Sequence, residues 1–280
     1  MTTDTTVAEA GPTPRARLSP RKRKKISLGI QYALFVVVIA ALVLAADWQS
    51  IQHVFFNVNE AKKAFPEILT IGMRNTVIYT VSGYVLGFFL GLVVALMRLS
   101  DVLPYRIIAL FYIEIFRGLP AIVVFVIFGF GVPIAFDDFE MPYDPYGTVA
   151  LALGLVSAAY LAETFRAGIQ AVPRGQIEAA RSLGMSQTRS TVTVVIPQAI
   201  RIVVPPLTNE LILLFKDSSL VFAIGFTLGS YELYKFGESL STQTANSTPL
   251  ILAGAFYLCL TVPLGYLVRK LEARQKRGRV

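Results

Sequence analysis

One cysteine, one histidine and one tryptophan occur in 280 residues. A lone Cys259 excludes an internal disulfide; set in an apolar run, it reads as a small packing residue. With His53 the only imidazole, no obvious metal-ligand or nucleophile constellation stands in the sequence, which argues against a membrane-embedded enzyme. His53 itself reads as an ordinary residue near the membrane interface. Charge is scarce as well: Asp, Glu, Lys and Arg make up 16% of the chain, against about 25% in an average soluble domain. No Gly-x-x-x-x-Gly-Lys-Ser/Thr stretch is present, so the chain lacks the phosphate cradle that ATP hydrolysis would need.

What fills the sequence is apolar length. Hydrophobic residues reach 54% and the mean hydropathy is +0.60. The runs are too long for buried core helices, since a membrane span needs roughly 20 apolar residues. Six candidate spans follow, at about 27–46, 68–97, 107–133, 147–169, 198–233 and 249–268. The fifth is too long for one straight helix across a core of about 30 Å, so a break is expected inside it. The fold class is therefore an all-α membrane protein, with one N-terminal helix added to a five-helix core. The first apolar run has no small-residue cleavage site after it and reads as a retained anchor.

The net charge of +8 is distributed in a way that speaks for a membrane and against nucleic acid. Basic residues gather in the N-terminal tail (Arg15, Arg17, Arg21 to Lys25), after the second span (Arg98, Arg106), after the fourth (Arg166, Arg174, Arg181, Arg189, Arg201) and after the sixth (Arg269, Lys270, Arg274, Lys276, Arg277, Arg279). With six spans these segments share one side. Acids (Asp137, Asp138, Glu140, Asp144) occupy the other. Both termini are expected in the cytoplasm. The organisation then reads as a basic, disordered tail over 1–26, an accessory span over 27–46 and an extracytoplasmic linker over 47–67, part of which can lie along the membrane surface. A transmembrane domain over 68–269 and a basic tail over 270–280 follow. Gly83, Gly87 and Gly91 share one face of the second span, which suits either close helix packing within the chain or a subunit interface.

The loop from 170 to 200 is unusual for its length. Pro173 and Gly175 break the preceding helix. Residues 176–183 then favour a short helix with Ile177, Ala180 and Leu183 on one face. Gly184 is placed to end it, Ser186 to cap a second short helix, and Pro197 to precede the next span. Glu178-Ala179-Ala180, Gly184, Val194, Ile196 and Pro197 stand at the spacing of the EAA loop and resemble the permease subunits of ABC importers. That resemblance implies a type I importer fold. It also implies docking of Glu178, Ala179, Ala180, Gly184 and Pro197 against a separate cytoplasmic ATPase dimer. ATP and Mg would belong to that partner, and this chain would hold no cofactor and would not be an enzyme. Phe116-Arg117-Gly118-Leu119-Pro120, residues 159–168 (AYLAETFRAG) and Lys216-Asp217-Ser218-Ser219-Leu220 look like the polar amino acid branch, serving histidine, arginine, glutamine and glutamate. Ser218 stands where that branch commonly has Thr. The resemblance covers about residues 68–269. The N-terminal arm and the loop after it resemble actinobacterial glutamate permeases. The further partners implied are a second permease subunit, an extracytoplasmic substrate-binding protein and the lipid bilayer. The extra span and the asymmetric charge favour a permease partner of different sequence.

Ionisable residues inside spans are costly and are usually paired or functional. Glu114 with Arg117, and Glu163 with Arg166, are three apart and can pair on one helix face. Such pairs would either fix helix packing or couple the loop to the pathway. Asn209, Glu210, Lys216, Asp217, Ser218 and Ser219 interrupt the fifth span and form one candidate substrate contact, since an α-amino acid presents a carboxylate and an ammonium. Lys216 and Asp217 could equally neutralise each other at a subunit contact. Arg74, Asn75 and Thr76 form a second polar cluster. The competing reading, an ion-coupled secondary transporter, would call for a repeated half, and none is evident.

Overall fold

The computed structural model describes residues 20–136, 141–225 and 227–277. Asp137, Asp138 and Glu140, and the N-terminal tail with Arg15 and Arg17, lie outside the described residues, as does Arg279. The chain divides into two compact units at Ile51.

The first unit is dominated by α1 (Pro20–Ala45). From Lys24 to Ala45 its mean hydropathy is 2.5 and none of its apolar window is buried. A helix whose sequence is apolar all round has the composition of a membrane span. After it, Asp47 accepts hydrogen bonds from the Ser50 hydroxyl (2.7 Å) and from the amides of Gln49 and Ser50. The Ser50 hydroxyl, and then its amide, hold the Asp47 carboxyl below the usual carboxylate range.

The second unit begins at Gln52. It takes in α3 (Val58–Ala64), which follows α2 (Trp48–Phe55). Ala64 is fully buried with Ile68, Leu233, Phe236 and Ala253. The Asn246 amide donates to the His53 carbonyl at 2.8 Å, and the Asn57 amide to the Thr248 hydroxyl at 2.9 Å.

A π-helical turn (Ile68–Met73) leads into α4 (Arg74–Leu99), and after α5 to α7 the chain returns as α8 (Tyr146–Gln170). These two helices make the tightest contact of the bundle. A Cβ on Gly83 would stand 2.5 Å from Leu153 Cβ, one on Gly87 1.9 Å from Ser157 Oγ, and one on Gly91 2.9 Å from the Ala158 carbonyl oxygen. The glycine stripe is thus spent on packing within the chain. Lipid removes the hydrophobic drive for helix association, so van der Waals contact at small residues carries it.

The third expected span is not one helix. α5 (Leu103–Gly118) stops, and the continuation α6 (Ala121–Val126), a π turn (Ile127–Gly131) and α7 (Val132–Ala135) departs at 103°. Leu119 sits at φ −81°, ψ 138°. Pro120 forces this, because its ring disfavours helical backbone in the residue before it.

The expected break in the fifth span is present. After a short α9 (Arg174–Ser182) and α10 (Gln187–Ser190), α11 (Ile196–Asp217) gives way to a 3₁₀ stretch (Ser218–Ile224). That stretch ends at Gly225 with φ 76°. The next residues do not extend the span. A second 3₁₀ turn (Leu228–Ser230) precedes α12 (Leu233–Thr244), which folds back on α13 (Thr248–Arg277). A Cβ on Gly237 would meet the Pro249 carbonyl oxygen at 2.9 Å, so this hairpin is also closely packed. Cys259 is exposed on α13 rather than packed. Five helices among the described residues are long and apolar enough to cross a membrane, and the bent pair meets the same measure when its two helices are taken together.

Candidate functional site

The segment between α8 and α11 is a braced knob. Pro173, in extended backbone, starts α9. At the other end the amides of Gly184 and Met185 donate to the carbonyls of Arg181 (2.9 Å) and Ala180 (3.2 Å). This is the paired bonding of a Schellman cap. Gly184 has φ 83°, and a Cβ there would meet nothing within 4 Å. Its glycine is required by the left-handed backbone and not by crowding. Ser186 then caps α10, its hydroxyl accepting from the Arg189 amide at 3.3 Å.

Side chains lock the knob to its base. The Arg181 guanidinium donates to Gln187 across the Gly184 turn, and the Gln198 amide donates to Gln176. Ala180 is buried, and Ile177 packs with Val172, Val195 and Ala199. At the root, a Cβ on Gly168 would come within 2.0 Å of Val203 Cγ1, so α8 and α11 nearly touch there.

Two sequence expectations need correction. Leu183 does not share the packed face with Ile177 and Ala180; it is 82% exposed. It is the cap residue, with ψ 13°, and has already left the helical path. Nor is the second short helix separate from the next span. From α10 the chain passes through a π turn (Thr191–Val195) directly into α11, so Pro197 lies in a helix already under way. A proline lacks the amide for its ladder bond and crowds the carbonyl four residues back. The wide turn just before it opens the ladder at that place.

The result is a helix with one face fixed and the other bare. Glu178, Ala179 and Leu183 are exposed. Among the described residues the Glu178 carboxylate forms no ion pair. A carboxylate beside a small alanine and a protruding leucine, on a rigid mount, is suited to seating in a partner's cleft with a basic group.

The other candidate residues separate into used and unused groups. Asn75 and Thr76 are fully buried and are used internally. The Asn75 amide donates to the Gly229 (2.9 Å) and Tyr231 (3.0 Å) carbonyls and accepts from the Tyr146 hydroxyl (3.0 Å). The Thr76 hydroxyl donates to the Gly72 carbonyl and accepts from the Leu233 amide. Tyr79 completes this clamp, donating to the Ser230 carbonyl at 2.8 Å. Asn75 and Thr76 therefore hold the 229–233 turn and are not free to meet a solute, while Arg74 is exposed. Beside them Glu232 is fully buried, caps α12 through the amides of Tyr234 and Lys235, and accepts from the Tyr257 hydroxyl at 2.6 Å.

On α11 and just beyond it, Asn209 and Lys216 are exposed and Glu210, Asp217 and Ser219 half-buried. Residues 209 and 216, and 210 and 217, are seven apart and so lie two turns above one another on adjacent faces. No Lys216–Asp217 ion pair forms among the described residues. Ser218 and Ser219 return their hydroxyls to the carbonyls of Phe215 and Lys216 as the helix tightens.

Of the two charge pairs, one exists. Arg166 binds Glu163 with two hydrogen bonds (2.6 and 3.1 Å) and reaches on to Gln170 at 2.6 Å. Arg117 instead sits over the Tyr160 ring, 5.4 Å from its centre, and no Glu114–Arg117 ion pair forms. Among the described residues no group of His, Cys, Asp or Glu could hold a metal.

Sequence reasoning put Leu183 on the packed face and missed the clamp partners Tyr79, Tyr146 and Glu232. The position of Leu183 directly before Gly184 carried the signal, since a cap residue leaves its helix face. The clamp joins residues about 150 positions apart and left no local trace.

The family profile described as binding-protein-dependent transport system inner membrane component matches residues 83–277. The chain is 35% identical over 210 residues to the probable glutamine ABC transporter permease protein GlnM of Bacillus subtilis, covering 74% of this chain and 93% of that protein. It is 32% identical over 262 residues to the arginine transport system permease protein ArgU of Corynebacterium glutamicum, covering 88% and 79%. Among solved structures, one described as an amino acid ABC transporter with histidines superposes with a TM-score of 0.69 at 33% identity, covering 78% of this chain and 98% of that one. The braced knob, the bent third span and the glycine-packed bundle are thus those of a multi-pass bacterial inner-membrane protein, and the chain belongs to the binding-protein-dependent inner membrane components, the permease subunits of ABC importers.

Proposed function

We propose that this permease carries polar amino acids and that its α9 knob is the seat of a separate ATPase. The observation that carries the reading is the knob itself, held by the Gly184 cap and the Arg181 and Gln198 bridges while Glu178, Ala179 and Leu183 stay bare. The relatives named for glutamine and arginine support the cargo class. So does the α11 stripe, where Lys216 can meet a carboxylate and Glu210 or Asp217 an ammonium. The resemblance of the N-terminal arm makes glutamate the first cargo to assay.

In this reading the knob and both termini face the cytoplasm, as the Lys and Arg distribution requires. Two permease subunits of different sequence pair, two ATPases hold ATP and Mg, and an extracytoplasmic binding protein delivers the amino acid. This chain contributes no nucleotide site. Closure of the ATPases draws the two knobs together, and α8 and α11, nearly touching at Gly168 and Val203, carry that movement into the bundle.

The test is co-expression of the permease with its ATPase and binding protein. Glu178→Ala and Leu183→Ala should each release the ATPase during purification and abolish uptake, while the permease itself remains monodisperse. Full ATPase retention and normal uptake in both variants would remove the docking assignment. Uptake by the permease alone under an ion gradient, without ATP, would establish the secondary-transporter reading instead.

A further inference from the structure

The third span breaks close to its polar residues. Its first half, α5, has 16 residues and rises about 24 Å, less than a hydrocarbon core of about 30 Å. Arg106 in its first turn sets its start at the headgroups, so the helix ends inside the membrane. Leu119 and Pro120 then leave the helical path, with ψ 138° and 131°. Gly118, Leu119 and Pro120 are exposed, and a Cβ on Gly118 would meet nothing within 4 Å. Non-helical backbone at this depth is tolerated only when protein buries it or when it lines a watery cavity, and this chain does not bury it.

Glu114 and Arg117 precede the elbow, about 12 and 17 Å along the helix from Arg106 and so near the middle of the bilayer. Both are exposed. Three apart on one helix, their Cβ atoms stand about 5–6 Å from each other, yet the two do not pair. Among the described residues the Glu114 carboxylate has no partner. Arg117 lies over the Tyr160 ring, and contact with a ring face uses its charge and none of its N–H donors. Glu163 lies within the field of Arg117, but Arg166 takes both oxygens of that carboxylate. A carboxylate and a guanidinium are thus presented side by side at a depth where lipid is a costly neighbour for either. On the two sides of the elbow, Phe116 and Ala121 pack onto the core cluster that includes Leu214 and Val221, so this wall belongs with the end of α11.

A neighbouring helix covering this face would have to bring both a cation and a carboxylate to mid-membrane, and an acyl chain brings neither. An α-amino acid carries the two charges on one carbon. We infer that the elbow is a station on the cargo's path, where Arg117 takes the α-carboxylate of a passing amino acid and Glu114 its ammonium, while the open space at Gly118 admits the side chain. Guanidinium and carboxylate groups are matched for such charge-assisted hydrogen bonds. The inference rests on the reading of this chain as an amino acid permease and adds a second wall to the α11 stripe. Both contacts are to the head group, so the station accepts amino acids of different side chain alike.

The experiment uses the full-length permease assembled with its ATPase and binding protein in proteoliposomes. In a C259S background, G118C places a single thiol in the elbow, and its reaction with a charged methanethiosulfonate reagent is timed. The expected result is labelling that slows about tenfold in millimolar L-glutamine and in millimolar L-arginine alike. Agmatine, which is arginine without its carboxylate, should not slow it. Protection should be lost when R117Q or E114Q is added and largely kept with R117K or E114D, the conservative pair guarding against a folding defect. Uptake of radiolabelled L-glutamine should fall about tenfold in R117Q and in E114Q. Absence of labelling would mean that lipid or the second subunit covers the elbow and would overturn the inference. Equal protection by agmatine, or full protection in both glutamine variants, would overturn it as well. Normal amino acid uptake in R117Q and E114Q would remove the station and leave the amino acid reading standing, whereas a wild-type assembly that takes up no amino acid would remove both.

Discussion

The knob after α8 and the 229–233 turn near its start stand at opposite ends of one helix, about 37 Å apart, and they treat polar groups in opposite ways. At the turn, Asn75, Thr76, Tyr79, Tyr146 and Glu232 are paired inward, with hydrogen bonds between 2.6 and 3.0 Å. At the knob the bridges hold the base, and the outward face keeps Glu178 without an ion pair among the described residues. A buried polar group must find its partner within the fold, because leaving it unpaired costs about 1–3 kcal/mol. A polar group intended for another protein has to be left over. The difference separates residues that shape the bundle from residues that address a partner.

The comparison can be broken by substitution, ranked here by the loss of thermal stability expected in the purified permease. Asn75→Leu should be the most damaging. It strands two carbonyls and the Tyr146 hydroxyl, and a loss of about 3 kcal/mol or more is expected from the unpaired groups. Scanning fluorimetry should show a large drop in Tm, and an unchanged Tm would mean that the clamp does not hold the turn. Gly184→Ala should cost about 1–2 kcal/mol, the penalty for a side chain in left-handed backbone. Its Tm loss should be smaller than that of Asn75→Leu, yet ATPase retention should fall as well, because the cap sets the knob's shape. Ser186→Ala removes the α10 cap and should cost about 1 kcal/mol. Hydrogen exchange should then rise at Arg189 and its neighbours and not at the clamp. Glu178→Gln should be nearly silent in stability, within about 0.5 kcal/mol as for other exposed positions, while ATPase co-purification drops. A Tm loss equal to that of Ser186→Ala would show that Glu178 supports the fold after all.

Much of this was readable from single positions. Gly184, Ser186 and Pro173 act through their own backbone chemistry, so the cap, the restart and the break of the knob fell where their residues stand. The Gly118-Leu119-Pro120 step carried an equally local signal for the elbow in the third span, and its apolar surroundings concealed it within one long run. The α12 hairpin was invisible for another reason. Its helix is only partly apolar, and it is held by Leu233 and Phe236 packing with Ala253 and by Glu232 against Tyr257, contacts supplied by α13.

The sequence by itself determined that the chain crosses a membrane several times, which side of it gathers the basic residues, and where the knob begins and ends. Run length, charge count and the backbone preferences of glycine, proline and serine are properties of neighbours in the chain. Only the tertiary structure decided which polar residues were left over. Asn75 and Asn209 are the same residue type in two long spans, each set beside a threonine and a charged residue. Asn75 meets the carbonyls of Gly229 and Tyr231 and is consumed, whereas Asn209 stays exposed. Whether a polar side chain is spent depends on what the fold brings against it from far along the chain.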